Sequence, residues 1–135
     1  MESALLDTDM RSEIMTGVDP HVRDNARRYL AIFRHFTFSI ITRHEILRGP
    51  QACGATRPMA RFEQHCQHSE VLLLTDDITA QAAELYSLLY QEGELIRDAD
   101  ILIAATALKH NLLMVTENVN HFRRILGLSI ESWRV

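Results

Sequence analysis

At 135 residues the chain has room for one domain, and 47% hydrophobic residues give it enough apolar material for a core, which excludes a disordered chain. A formal net charge of −4 excludes a protein that grips long nucleic acid by bulk charge. Any nucleic-acid contact must be local or aided by bound cations, and no apolar run approaches the roughly 20 residues that span a bilayer.

The first predicted element is a strand over Ser3-Ala4-Leu5-Leu6-Asp7, whose unbroken apolar run suits a parallel strand covered on both faces. Asp9 is then expected to cap a short helix through Met15, stopped by Gly17. Asp19-Pro20 marks a second helix start, and Val22, Ala26, Tyr29, Leu30 and Phe33 keep helical spacing to about His35. A strand follows over Thr37 to Ile41, then a helix capped by Thr42 and holding Glu45, Ile46 and Leu47. Gly49-Pro50 is expected to interrupt that helix, and Arg57-Pro58 to make its continuation irregular.

Val71 to Leu74 reads as another strand. Asp76 or Asp77 opens a helix with Ile78, Ala82, Leu85, Leu88 and Leu89 on one side, ended by Gly93. Asp98 is expected to cap an alanine-rich helix through His110, with Asn111 as a left-handed end. Leu112 to Thr116 is a strand; a short helix near His121 to Ile125 and a last strand near Leu128 to Ile130 complete the pattern. Strands alternating with helices predict one α/β domain over residues 1–135, with a central, mainly parallel sheet of four to five strands between two helical layers. In such sheets, sites form beyond the carboxyl ends of the strands.

Three acidic residues stand where such a site would form. Asp7 closes the first strand, Glu45 lies just beyond another, and Asp100 opens the alanine-rich helix. Each alone has a plainer reading: a turn residue for Asp7, a solvated helix residue for Glu45, a cap for Asp100. Together they suggest carboxylates meeting around a hard divalent cation, which prefers oxygen ligands and neutralises their repulsion. The positive charge is almost all arginine, with Lys109 the only lysine. Arg11, Arg43, Arg48 and Arg97 flank the acidic segments and could guide phosphates, though the plain reading of each is a solvated helix surface. Cys53 and Cys66 are expected to be free thiols in a reducing cytoplasm. His65, Cys66 and His68 lack a second ligand pair for zinc, and Trp133 is expected to pack as an aromatic in the core or at its edge.

Four blocks, in order over nearly the whole chain, carry a resemblance. They are Leu5-Leu6-Asp7-Thr8-Asp9, Ser39 to Gly49 with Glu45 at its acidic position, Asp98-Ala99-Asp100-Ile101-Leu102-Ile103-Ala104-Ala105, and Leu113 to Asn118 with His121-Phe122. The set resembles the PIN-domain ribonucleases, in particular VapC-type toxins of toxin–antitoxin pairs. That resemblance implies a three-layer α/β/α PIN-like domain and Mg2+- or Mn2+-dependent hydrolysis of RNA phosphodiesters. It implies metal binding by Asp7, Asp100 and Glu45, with Asn118 as a further catalytic residue and Thr8, Arg11, Arg43 and His121 positioning substrate. It also implies a cognate antitoxin and a homodimer.

The chain departs from the pattern at His121, where Asp is common before Phe, and Glu117, Asp9 and Asp98 are further candidates beside the metal site. Two other readings exist. A non-catalytic PIN-like module would bind RNA or protein without turnover. A haloacid-dehalogenase-like phosphatase would use Asp7-Thr8-Asp9 as its nucleophile motif but needs a suitably placed lysine, a role that Lys109 fits poorly.

Overall fold

The computed structural model describes residues 1–134. Five short strands form one sheet: β1 (Ala4–Leu6), β2 (Thr37–Ser39), β3 (Glu70–Leu72), β4 (Leu113–Val115) and β5 (Ile130–Glu131). They run in the order β3-β2-β1-β4-β5, and all four pairings are parallel. Side-chain alternation explains the apolar runs. In β1, Ala4 and Leu6 face one core with Met10, Val22, Tyr29, Val115 and Trp133, whereas Leu5 faces the other with Ile78, Leu85, Ile103, Met114 and Phe122. Helices therefore cover both faces, and the expected α/β/α architecture is present with a fully parallel five-stranded sheet.

The helices are α1 (Thr8–Thr16), α2 (Pro20–Phe33), α3 (Ile40–Cys53), α4 (Thr56–Gln67), α5 (Asp76–Gln91), α6 (Asp98–Lys109) and α7 (Val119–Phe122). Asp19 caps α2 as its sequence predicts, accepting from the Val22 amide at 3.0 Å, with Pro20 in the first turn. Gly17 ends α1 at a φ of 64°, a conformation that glycine adopts without a Cβ penalty. Asn111 is likewise left-handed, at a φ of 52°. Trp133 is buried beside Tyr29, with ring centroids 5.7 Å apart.

Several expected boundaries move, each for a local reason. The cap of α1 is Asp7, not Asp9: the Asp7 carboxyl accepts from the Met10 amide at 2.8 Å, which leaves Asp9 inside the first turn. The second strand stops at Ser39, whose hydroxyl accepts from the Ile41 amide, so Ile40 and Ile41 start α3 despite their β-branched side chains and Thr42 is buried within it. Pro50 does not break α3; it lies in the last turn, at the loss of one bond to the preceding turn, and Gly54 closes the helix in the left-handed region. Pro58 sits in the first turn of α4, where its missing N–H costs nothing. Asp98 is the first residue of α6 rather than its cap, a position held by Arg97, whereas α5 starts at Asp76 as expected. Leu88 is exposed, which narrows the buried stripe of α5 to Ile78, Ala82, Leu85 and Leu89. The third, fourth and fifth strands and the last helix are each offset or shorter than their apolar runs. Among the described residues, no helix is long and apolar enough to cross a membrane.

Candidate metal centre and active site

The strand order reverses at β1. The chain steps outward through β2 and β3 and returns to place β4 on the other side of β1. A crevice opens beyond the carboxyl ends of strands at such a reversal. Asp7 is the first residue past β1, and its amide still donates to the Val115 carbonyl of β4 at 3.2 Å. This pins its side chain at the crevice.

Asp7 is only 3% exposed. One oxygen accepts from the Met10 amide and the other from the Thr116 hydroxyl at 2.5 Å. Thr116 lies just past β4 and in turn accepts from the Asn118 amide at 2.9 Å. Burial pushes the Asp7 carboxyl up to about 7; the bonds from Thr116 and Met10 pull the other way, and the negative charges of Asp9 and Asp100 add to the rise. Asn118 also donates through its side chain to Asp9 at 3.0 Å. The ends of β1 and β4 thus form one polar network containing Asp7, Asp9, Thr116 and Asn118.

Glu45 comes from the second turn of α3 and Asp100 from the first turn of α6. The Glu45 side chain is only 5% exposed, and Asp100 is also buried. Thr8, next to Asp7, donates to Glu45 at 2.7 Å, and its hydroxyl lies 3.0 Å from that of Thr42. Glu45 and Asp100 share one cation: Nη2 of Arg97 lies 3.3 Å from Glu45 Oε2 and 3.2 Å from Asp100 Oδ1. The fold therefore brings Asp7, Thr8, Glu45, Asp100 and Asn118 to one region, from four separate stretches of chain.

Other expected participants lie elsewhere. Arg11 is not a solvated surface residue: it is buried over the rings of Phe38 and Phe62 and bonds Nδ1 of His65 at 3.1 Å. Arg43 pairs with Glu63 of α4 at 2.8 Å. His121 is exposed on α7. Glu117 accepts from Ser132 at 2.8 Å, tying it to the C-terminal segment rather than to the carboxylates. Asp98 is exposed and lines a groove with Thr79 and Tyr86 of α5. Lys109 pairs with Asp77 at the start of α5, which removes the lysine that a phosphatase reading needs near Asp7. Cys53 and Cys66 are free thiols.

Sequence reasoning missed Thr116 and the bridging role of Arg97. Each left a faint signal: a hydroxyl two residues before Asn118, and an arginine three residues before Asp100 at a helix start.

Among the described residues, no three His, Cys, Asp or Glu side chains are drawn together as a ready-made ligand cage. The donor set nonetheless suits a hard divalent ion. It consists of carboxylate oxygens, and Asp7 has Met10 and Thr116 as hydrogen-bond donors, with no cation among its ion pairs or bonds.

Residues 4–127 match the PIN domain family. The chain belongs to that family. It is 36% identical over 64 residues to the ribonuclease VapC2 of Rickettsia felis, a stretch covering 47% of this chain and about half, 48%, of that relative. It is 33% identical over 94 residues to the ribonuclease VapC1 of Methanocaldococcus jannaschii, covering 68% of this chain and 67% of that one. A crystal structure of DNA-bound VapBC from Salmonella typhimurium contains a chain that superposes with a TM-score of 0.85 at 26% identity, over 98% of this chain and 99% of the other. Within the PIN family the chain stands with the VapC type.

Proposed function

We infer that the protein is a metal-dependent endoribonuclease, the toxin of a toxin–antitoxin pair, acting in the cytoplasm. The observation that carries this reading is the gathering of Asp7, Glu45 and Asp100 at the strand-order reversal, with one arginine between two of them and a buried carboxyl at the third. The VapC ribonuclease relatives support it.

Asp7, Asp100 and Glu45 would hold Mg2+ or Mn2+, which lowers the pKa of a bound water and offsets charge growing on the phosphoryl oxygens. The chain's own residues do the positioning. Thr8 fixes the rotamer of Glu45 through the 2.7 Å bond to Oε1. Thr116 and the Met10 amide orient the two oxygens of Asp7. Asn118, held by its amide to Thr116, presents a side-chain amide beside Asp9 that can bind water or a phosphate oxygen. The low exposure of Asp7 and Asp100 limits competing water and strengthens each electrostatic interaction.

The antitoxin would dock along α1, α2 and the end of α4. There a groove of about 420 Å³ combines apolar Ile14, Met15, Leu30 and Phe36 with the exposed Arg34, while Arg11 lies buried at its wall. This chemistry suits an apolar segment bearing carboxylates, and the VapBC assembly among the structural neighbours supports a protein partner. A second copy of the chain would cover the exposed, stacked pair Tyr86 and Tyr90 on α5, whose rings lie 6.2 Å apart.

The deciding experiment maps RNA 5′ ends after brief induction of wild type beside Asp7→Asn. New ends that require Asp7 are expected. Identical end profiles from the two proteins would leave the nuclease reading without support and favour a non-catalytic module.

A further inference from the structure

Arg97 precedes α6 at the cap position, yet its side chain caps nothing. It is 59% exposed, and its tip still reaches two covered carboxylates on different helices. Nη2 approaches Asp100 Oδ1 at 3.2 Å and Glu45 Oε2 at 3.3 Å, while Nε lies 3.5 Å from Asp100 Oδ2. The only other cation near Glu45 among the described residues is Arg48, at a looser 3.7 Å. One guanidinium thus joins α3 to α6 across the centre.

A divalent ion held by Glu45 and Asp100 needs lone pairs on the same oxygens to which Arg97 donates. Two cations a few ångströms apart also repel. We propose that Arg97 is a resident counter-cation of the carboxylate centre, competing with the divalent ion for Glu45 and Asp100 and thereby setting how tightly that ion binds. The long, half-exposed stem lets the guanidinium withdraw to water at little cost. This inference rests on the nuclease reading and assigns a positioning residue within it.

The test is calorimetric titration of Mn2+ into chelator-stripped full-length wild type, Arg97→Gln and Arg97→Lys, with melting curves recorded in chelator. Arg97→Gln is expected to bind Mn2+ about two- to fivefold more tightly, the range commanded by a partly exposed ion pair. Arg97→Lys keeps the charge and is expected to stay near wild type. In chelator, Arg97→Gln should melt below wild type, because Glu45 and Asp100 lose their shared partner, and Mn2+ should raise its melting temperature by more. Equal or weaker Mn2+ binding by Arg97→Gln overturns the proposal while leaving the nuclease reading intact. Failure of all three proteins to bind Mn2+ overturns both.

Discussion

Asp7→Asn should stabilise the protein at neutral pH while abolishing cleavage. Asp7 is buried, and its carboxyl is raised from 3.8 to about 7, chiefly by loss of water. A pKa raised on folding means that the folded protein holds the proton more tightly than the unfolded chain. Stability is therefore greatest below the unfolded pKa, falls as pH rises toward 7, and levels off above it. The span from 3.8 to about 7 corresponds to roughly 4 kcal/mol. Asn carries no charge at any pH, ranks with Asp as a helix cap and keeps an oxygen for the Met10 amide. The Thr116 hydroxyl can rotate to accept from the new amide. Urea unfolding in chelator at about pH 5 and about pH 8 isolates the effect, because every other group titrates alike in both proteins. The variant's advantage should grow by roughly 2.6 kcal/mol between the two pH values, the part of that span not already lost at about pH 5. Excess Mg2+ should restore wild type selectively, since the ion favours the charged form. Parallel pH curves for the two proteins would refute the reasoning, for they would mean that Asp7 ionises in its site as easily as in water.

Thr8→Val removes the hydroxyl that fixes Glu45 and should lower kcat/KM about tenfold, the worth of one hydrogen bond to a charged group, with the fold intact by circular dichroism. Unchanged kinetics would show that Glu45 needs no such restraint. Arg11 is a buried cation whose Nε lacks a partner, so Arg11→Met should lie within about 1 kcal/mol of wild type in urea unfolding or exceed it. Arg11→Ala should lose roughly 3 kcal/mol by opening space against Phe38 and Phe62, and equal damage from both changes would count against this packing account. Tyr86→Arg combined with Tyr90→Arg should convert a dimer to a monomer in light scattering, whereas an unmoved mass would place the copy-to-copy contact elsewhere.

The sheet was readable because its chemistry is redundant. Ala4 to Leu6 and Leu113 to Val115 are apolar throughout, and only a parallel strand packed on both faces uses such a run fully. Helix starts were readable where one capping residue stood alone, as at Asp19 before Pro20. They were not where two candidates lay close together. Asp7 and Asp9, or Ser39 and Thr42, have equal local claims, and the winner is decided by the strand that delivers the chain to the turn. Pro50 misled because a proline removes one bond to the preceding turn and crowds it, yet need not stop the chain from completing the turn that Gly54 closes.

The site divides differently. Its acids were visible in the sequence, because a charged residue at the edge of an apolar run is conspicuous. Their electrostatic inequality was not. Asp7 is buried with no cation paired to it among the described residues and its carboxyl is pushed up to about 7, whereas Glu45 and Asp100 share Arg97. That difference arises from the placement of α3 against α6, a contact between residues more than fifty positions apart that no local pattern encodes. It also gives the centre a division of labour. The bridged pair already has a cation for a partner, while Asp7 gains most from an added one, since a divalent cation would relieve the cost of its buried charge. Ion binding should therefore be felt first as proton release from Asp7, at close to one proton per ion near pH 6 in calorimetry across buffers of different ionisation heat. Release of no proton would mean that the ion reaches the paired carboxylates alone and leaves Asp7 outside its shell.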